Sequence, residues 1–140
     1  MKKVRIFYPV CPLTAVILEL LPFGAVLNFG QPDGEPIRQT YSYFSLTPFG
    51  YANFGPLITA VLSCALLVLS IMAVIRPGKR LWRANGNIAV VTALVSVAPW
   101  VMLGTRYFTR IGGAITLLLA AHAVLMIIML KKSEKSVNSD

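Results

Sequence analysis

Apolar residues fall into four blocks, at 6–27, 54–75, 88–104 and 111–130, separated by one long break, 28–53, and two shorter ones, 76–87 and 105–110. The last three are near-continuous runs, each long enough as a helix to cross a hydrocarbon core of roughly 30 Å. The first is different. Pro9, Pro12, Pro22 and Glu19 interrupt it, and its longest apolar piece, 13–21, still carries Thr14 and Glu19. The pattern predicts an all-α membrane protein of four transmembrane helices, at about 9–27, 55–76, 86–104 and 111–131, forming a single integral membrane domain over 1–140. A long ordered outer loop, 28–53, joins helices 1 and 2, and 132–140 reads as a disordered cytoplasmic tail.

Local signals refine this frame. Lys2, Lys3 and Arg5 precede the first block as they would a signal peptide, but Glu19 breaks the core and no small-x-small cleavage site follows. Bulky Val10 before Cys11 argues against a lipoprotein, so an uncleaved first helix is expected, with Pro12 in its first turn. The segment RPGKRLWRANGN reads as a basic inner loop with a Pro-Gly turn and Trp82 at the interface. Pro99 falls late in helix 3, where a kink is expected. Thr59 with Ser63, Ala60 with Cys64, Ala89 with Ala93, and Gly112, Thr116 and Ala120 provide small residues four apart, which suit close helix packing within one chain or between copies.

The outer loop is flanked by two similar stretches, PFGAVLNFGQP and PFGYANFGP. Their spacers differ by one residue, which fits two helix boundaries meeting the same interface better than a repeated domain. Pro22, Gly24 and Gly30 are suited to ending helix 1, and Asn53 or Gly55 to capping helix 2 with Pro56 in its first turn. Between them, Pro-Asp-Gly marks a turn, and 37–44 suits a short strand or an interfacial stretch. Tyr41, Tyr43, Phe44, Phe49 and Tyr51 are too aromatic for a solvated linker, so the loop is expected either to cap the helix ends or to form an interfacial aromatic belt.

Composition agrees with lipid solvation: 56% of the 140 residues are hydrophobic and 13% charged. The net charge of +8 does not imply nucleic acid, because its distribution follows the membrane. Lys2, Lys3, Arg5, Arg76, Lys79, Arg80, Arg83, Lys131, Lys132 and Lys135 fall on one side, and only Arg38, Arg106 and Arg110 on the other. The positive-inside rule then makes both termini cytoplasmic. The localisation implied is multi-pass in a cell (plasma) membrane, in a bacterial setting, with the lipid bilayer, a membrane protein partner or a second copy as partners and no nucleic acid.

Few residues suit chemistry. A carboxylate at membrane depth costs on the order of 3 kcal/mol or more unless protonated, paired or wet, so Glu19 is the leading candidate for a proton or ligand site. His122, the single histidine, lies at a similar depth in helix 4, and a Glu19–His122 pair would reconcile two costly groups. Arg38, Tyr41, Tyr43, Arg106 and Arg110 are candidates for outer-face binding. Neither a metal-ligand spacing nor a Walker loop, nucleophile elbow or acid pair is present, so no cofactor, metal or enzymatic activity is expected.

With four short spans and a glutamate in the first, in AVILELLPFG, the chain resembles the small multidrug resistance transporters. In that family the first-helix glutamate binds protons and cationic drugs within a dimer. The resemblance covers Glu19 and a helix count, and the long aromatic outer loop departs from the family's short loops. Two functions are therefore expected: a non-enzymatic accessory or binding subunit with an extracytoplasmic aromatic cap, or a dimeric proton-coupled small-molecule transporter using Glu19.

Overall fold

A computed structural model describes residues 8–32 and 34–137. Lys2, Lys3, Arg5, Asp33 and the last three residues of the expected tail lie outside the described residues. The described chain is mostly helical with one small sheet. In order it forms α1 (Val10–Leu20), β1 (Ala25–Gln31), β2 (Gly34–Tyr41), α2 (Leu46–Gly50), α3 (Gly55–Ile75), α4 (Lys79–Leu103), a 3-10 turn (Thr105–Tyr107) and α5 (Arg110–Val137). Helices α3, α4 and α5 are long and apolar enough to cross a membrane, and α1 is a shorter apolar helix.

The first element departs most from expectation. Helix 9–27 is replaced by the 11-residue α1, because Leu21 precedes Pro22 and takes an extended conformation (φ −67°, ψ 140°). The ring of a proline disfavours helical geometry in the residue before it. Ala25, Val26 and Leu27, expected at the end of that helix, instead begin an antiparallel hairpin that pairs Ala25 with Tyr41, Val26 with Thr40 and Leu27 with Gln39. The short strand expected at 37–44 is present but shifted to Gly34–Tyr41. The hairpin base is buried, with Val26 at 0% exposure, and β2 is exposed from Gly34 through Thr40. The loop expected at 28–53 therefore contains most of a hairpin together with α2, whose first turn is capped by the Ser45 hydroxyl.

The later helices are longer than hydropathy implied. The basic inner loop shrinks to Arg76–Gly78, and α4 begins at Lys79 rather than 86. Lys, Arg, Leu, Trp and Ala are adequate helix formers, and long cationic side chains can reach water from a helix end. Helix α5 runs to Val137, through much of the stretch expected to be a disordered tail. No glycine or proline interrupts 131–137, and Lys and Glu favour helix. At the start of α3, Pro56 occupies the first turn as expected, but neither Asn53 nor Gly55 caps it; the cap position is Phe54, without a side-chain bond.

Helix α1 packs against α3 and α5, and α4 packs against the same two, closing a four-helix bundle. Its core joins small residues (Ala15, Ala60, Ala89, Ala123) to Leu66, Ile115, Leu119 and Met126. Small residues permit the close backbone approach that helices need when burial of apolar surface gives little drive. At Gly86 an added Cβ would come within 2.7 Å of Leu130. The surface reverses the usual arrangement: Val61, Leu94, Val101 and Leu117 are exposed, while Thr59, Ser63, Ser70, Asn85 and Thr92 are fully buried.

One end of the bundle carries the hairpin, α2 and the 3-10 turn; it is the hairpin end. The opposite, basic end holds Arg76–Gly78 and the first turn of α4. The start of α1 lies there too, since Tyr8 meets Trp82 edge-on at 4.8 Å.

Candidate functional site: a sealed carboxyl beneath a hairpin cap

Helical side chains slant toward their own N-terminus, so Glu19, near the end of α1, directs its carboxyl down into the bundle. It is 0% exposed. Ser63 Oγ on α3 donates to Glu19 Oε1 at 2.7 Å, and Oε2 has no hydrogen-bond partner. The main chain above it is closed as well. The Tyr43 N–H donates to the Glu19 carbonyl at 2.9 Å, which satisfies an acceptor that the early end of α1 leaves open.

Helical rise sets the depth of this group. Gly55 seats against Pro99, where an added Cβ would collide with the proline ring. Pro99 is four residues short of the end of α4, and Ser63 eight residues beyond Gly55. These offsets put Ser63 about 18 Å below the hairpin end of α4, and His122, twelve residues into α5, about as deep. His122 is 1% exposed, with Nε2 unpartnered. By helical rise Glu19 and His122 lie at about the same depth, but among the described residues no hydrogen bond or ion pair joins them; Glu19 is bonded to Ser63. Ser63 was legible only as half of a packing pair with Thr59. A second buried pair lies nearer the basic end, where Asn85 Nδ2 donates to Ser70 Oγ at 3.1 Å.

The cap above Glu19 is held by bonds between segments far apart in sequence. The Thr109 hydroxyl donates to the Gly24 carbonyl at 2.7 Å and accepts the Gly112 N–H at 2.8 Å, so it caps α5 and ties down the hairpin base together. Asn53 Nδ2 donates to the Val26 carbonyl at 3.3 Å; Ala52, turning at φ 64°, brings the chain from α2 to this position. Phe29 and Tyr51, one from each Phe-Gly stretch, meet edge-on at 5.3 Å. The two stretches therefore pack together at the base of the cap.

Of the outer-face candidates, Tyr43 is the exception. It is 3% exposed, its ring covering Gly24 and its hydroxyl facing Gly112, so it is a buried plug rather than a binding side chain. Burial raises its phenol pKa above the ordinary value, and the Glu19 carboxylate adds to the shift. Arg38 is exposed on β2, its Nη2 donating to the Phe108 carbonyl at 2.7 Å. Tyr41 donates to Gln39 Oε1 at 2.7 Å. Arg106 and Arg110 are exposed on the 3-10 turn and the first turn of α5.

Among the described residues no three of His, Cys, Asp and Glu converge as metal ligands, and Cys11 and Cys64 are free thiols. The arrangement thus offers one sealed carboxyl, a histidine at its level and an ordered cap with a cationic rim. Compared with known proteins, the chain matches no family model, no curated protein and no solved structure.

Proposed function

We propose that this chain is a four-crossing integral membrane protein that serves as a non-enzymatic accessory or binding subunit, with the hairpin and aromatic cap as its contact surface. The inverted surface supports the membrane setting: large apolar side chains face outward on all four long or short apolar helices, including Ile17 on α1. The first crossing is composite. Helix α1 spans about 16 Å, and the buried hairpin base continues toward the hairpin end. Strand backbone is tolerated at such depth when its polar groups are paired and covered by protein. Arg76, Lys79, Arg80, Arg83, Lys131 and Lys132 at the basic end, against Arg38, Arg106 and Arg110 at the other, favour a cytoplasmic basic end with both termini on that side.

The observation that carries the binding reading is the state of Glu19. It is covered and bonded to Ser63, while β2 above it stands exposed along nearly its whole length. A photo-crosslinking residue at Ile37 in native membranes is expected to give one discrete product, absent when the same residue replaces Val68 on α3. A smear of products equal at both positions overturns the binding reading.

The second reading, a dimeric proton-coupled small-molecule transporter, draws on one observation: Glu19 Oε2 and His122 Nε2 are both buried and unpartnered among the described residues, at about the same depth by helical rise. Buried polar atoms without partners are uncommon and cluster where groups exchange protons or ligands. That reading requires proton movement that Glu19→Gln abolishes.

A further inference from the structure

Three arginines at the hairpin end are brought together by the fold. Arg38 comes from β2, Arg106 from the 3-10 turn and Arg110 from the first residue of α5, and the bond from Arg38 Nη2 to the Phe108 carbonyl places its guanidinium over the segment that carries the other two. Among the described residues none of the three is bonded to a carboxylate, and beyond the Phe108 bond none has a partner there.

This placement is unfavourable in two ways. Three exposed cations on adjoining segments repel, though solvent screens them. Arg110 also stands at the N-terminus of α5, where the helix dipole disfavours a cation, and no acidic residue in that turn offsets it. An anion bound among the guanidiniums removes both penalties, and planar guanidinium groups suit phosphate oxygens.

The surroundings indicate which anion. Val101 is 77% and Met102 81% exposed at the end of α4, with Leu103 and Phe108 exposed beside them. Trp100 and Phe108 meet edge-on at 5.0 Å, and tryptophan is enriched at headgroup boundaries. A free phosphate would satisfy the arginines but leave this apolar collar uncovered.

We infer that Arg38, Arg106 and Arg110 form a cradle for the phosphodiester headgroup of an anionic phospholipid, whose acyl chains run down the apolar collar of α4. The inference rests on the membrane setting but not on the choice between binding subunit and carrier.

The protein is reconstituted in vesicles of phosphatidylcholine and phosphatidylglycerol, extracted gently, and the co-purifying lipid quantified. Wild-type protein is expected to retain phosphatidylglycerol over phosphatidylcholine by about tenfold, equivalent to roughly 1.4 kcal/mol. Arg106→Gln/Arg110→Gln brings the ratio to parity, each single variant loses part of it, and Lys131→Gln/Lys132→Gln at the basic end retains it. Excess inorganic phosphate leaves the wild-type ratio unchanged. Equal retention by wild type and the arginine variants overturns the cradle. An equal loss in the lysine variant, which reports general attraction to basic protein, also overturns it, as does displacement by inorganic phosphate. Vesicle flotation of every variant separates these failures from failure of the membrane reading itself.

Discussion

The two ends of the bundle are closed by different means. At the basic end, α3 passes to α4 through Arg76–Gly78, a connection set by a Pro-Gly pair, and Gly78 has no neighbour that an added Cβ would meet. At the hairpin end, α1 stops at Leu20 and 34 residues, 21–54, fold back before α3 begins. Those residues are fixed by partners distant in sequence: Gly24 by Thr109, Val26 by Asn53, Arg38 by Phe108. One end is a local turn and the other a tertiary assembly. The specificity of this fold is therefore concentrated at the hairpin end, which is the more sensitive to substitution.

The strongest test of that contrast is Tyr43. Tyr43→Ala empties the space between Gly24 and Gly112 and is expected to destabilise the protein by about 3 kcal/mol or more. Trp82→Ala, at the half-buried aromatic contact of the basic end, costs about 1 kcal/mol; thermal unfolding in detergent measures both. Next, Gly24→Ala puts a Cβ within 2.8 Å of the Tyr43 ring and is expected to cost about 1–3 kcal/mol. Gly78→Ala, in open space but at the N-cap of α4, costs less than about 1 kcal/mol. If the two glycines respond alike, the contrast between the ends is wrong.

Within the buried centre, Ser63→Ala leaves Glu19 Oε1 without its donor and costs about 1–3 kcal/mol. Glu19→Gln and His122→Ala are expected to be additive to within about 0.5 kcal/mol, since no bond joins the two residues; a larger coupling shows that they pair. The smallest effect is silent at neutral pH. Because the Tyr43 phenol is raised above its ordinary value of 10.0 when folded, its contribution is complete below that value and is lost as pH rises beyond it. Wild-type protein should therefore lose stability between about pH 10 and 12 more steeply than Tyr43→Phe.

The same contrast explains what was legible in the sequence. Helices α3, α4 and α5 announce themselves because an apolar length sufficient to cross a membrane is something hydropathy reads directly. The first turns of α4 were missed because Asn85 and Gly86 are polar or flexible in isolation yet buried here, Asn85 against Ser70. Helix 1 was read too long because Ala25, Val26 and Leu27 are as apolar as a helix end; only the pairing with Gln39, Thr40 and Tyr41 makes them strand. Pro22 carried the local signal that α1 must stop before it. For the site, Glu19 and His122 stood out as polar residues in apolar runs, and their shared depth followed from helical rise. Ser63 as the partner, and Tyr43 as a plug, depend on contacts between segments that no local pattern encodes.

We propose that Glu19, covered and bonded to Ser63, supports the cap and does not carry protons. Proton flux into proteoliposomes after a pH jump tests it directly, comparing wild type, Glu19→Gln and protein-free vesicles. The same slow leak is expected in all three; a wild-type flux well above the leak that disappears in Glu19→Gln would overturn the structural role of Glu19.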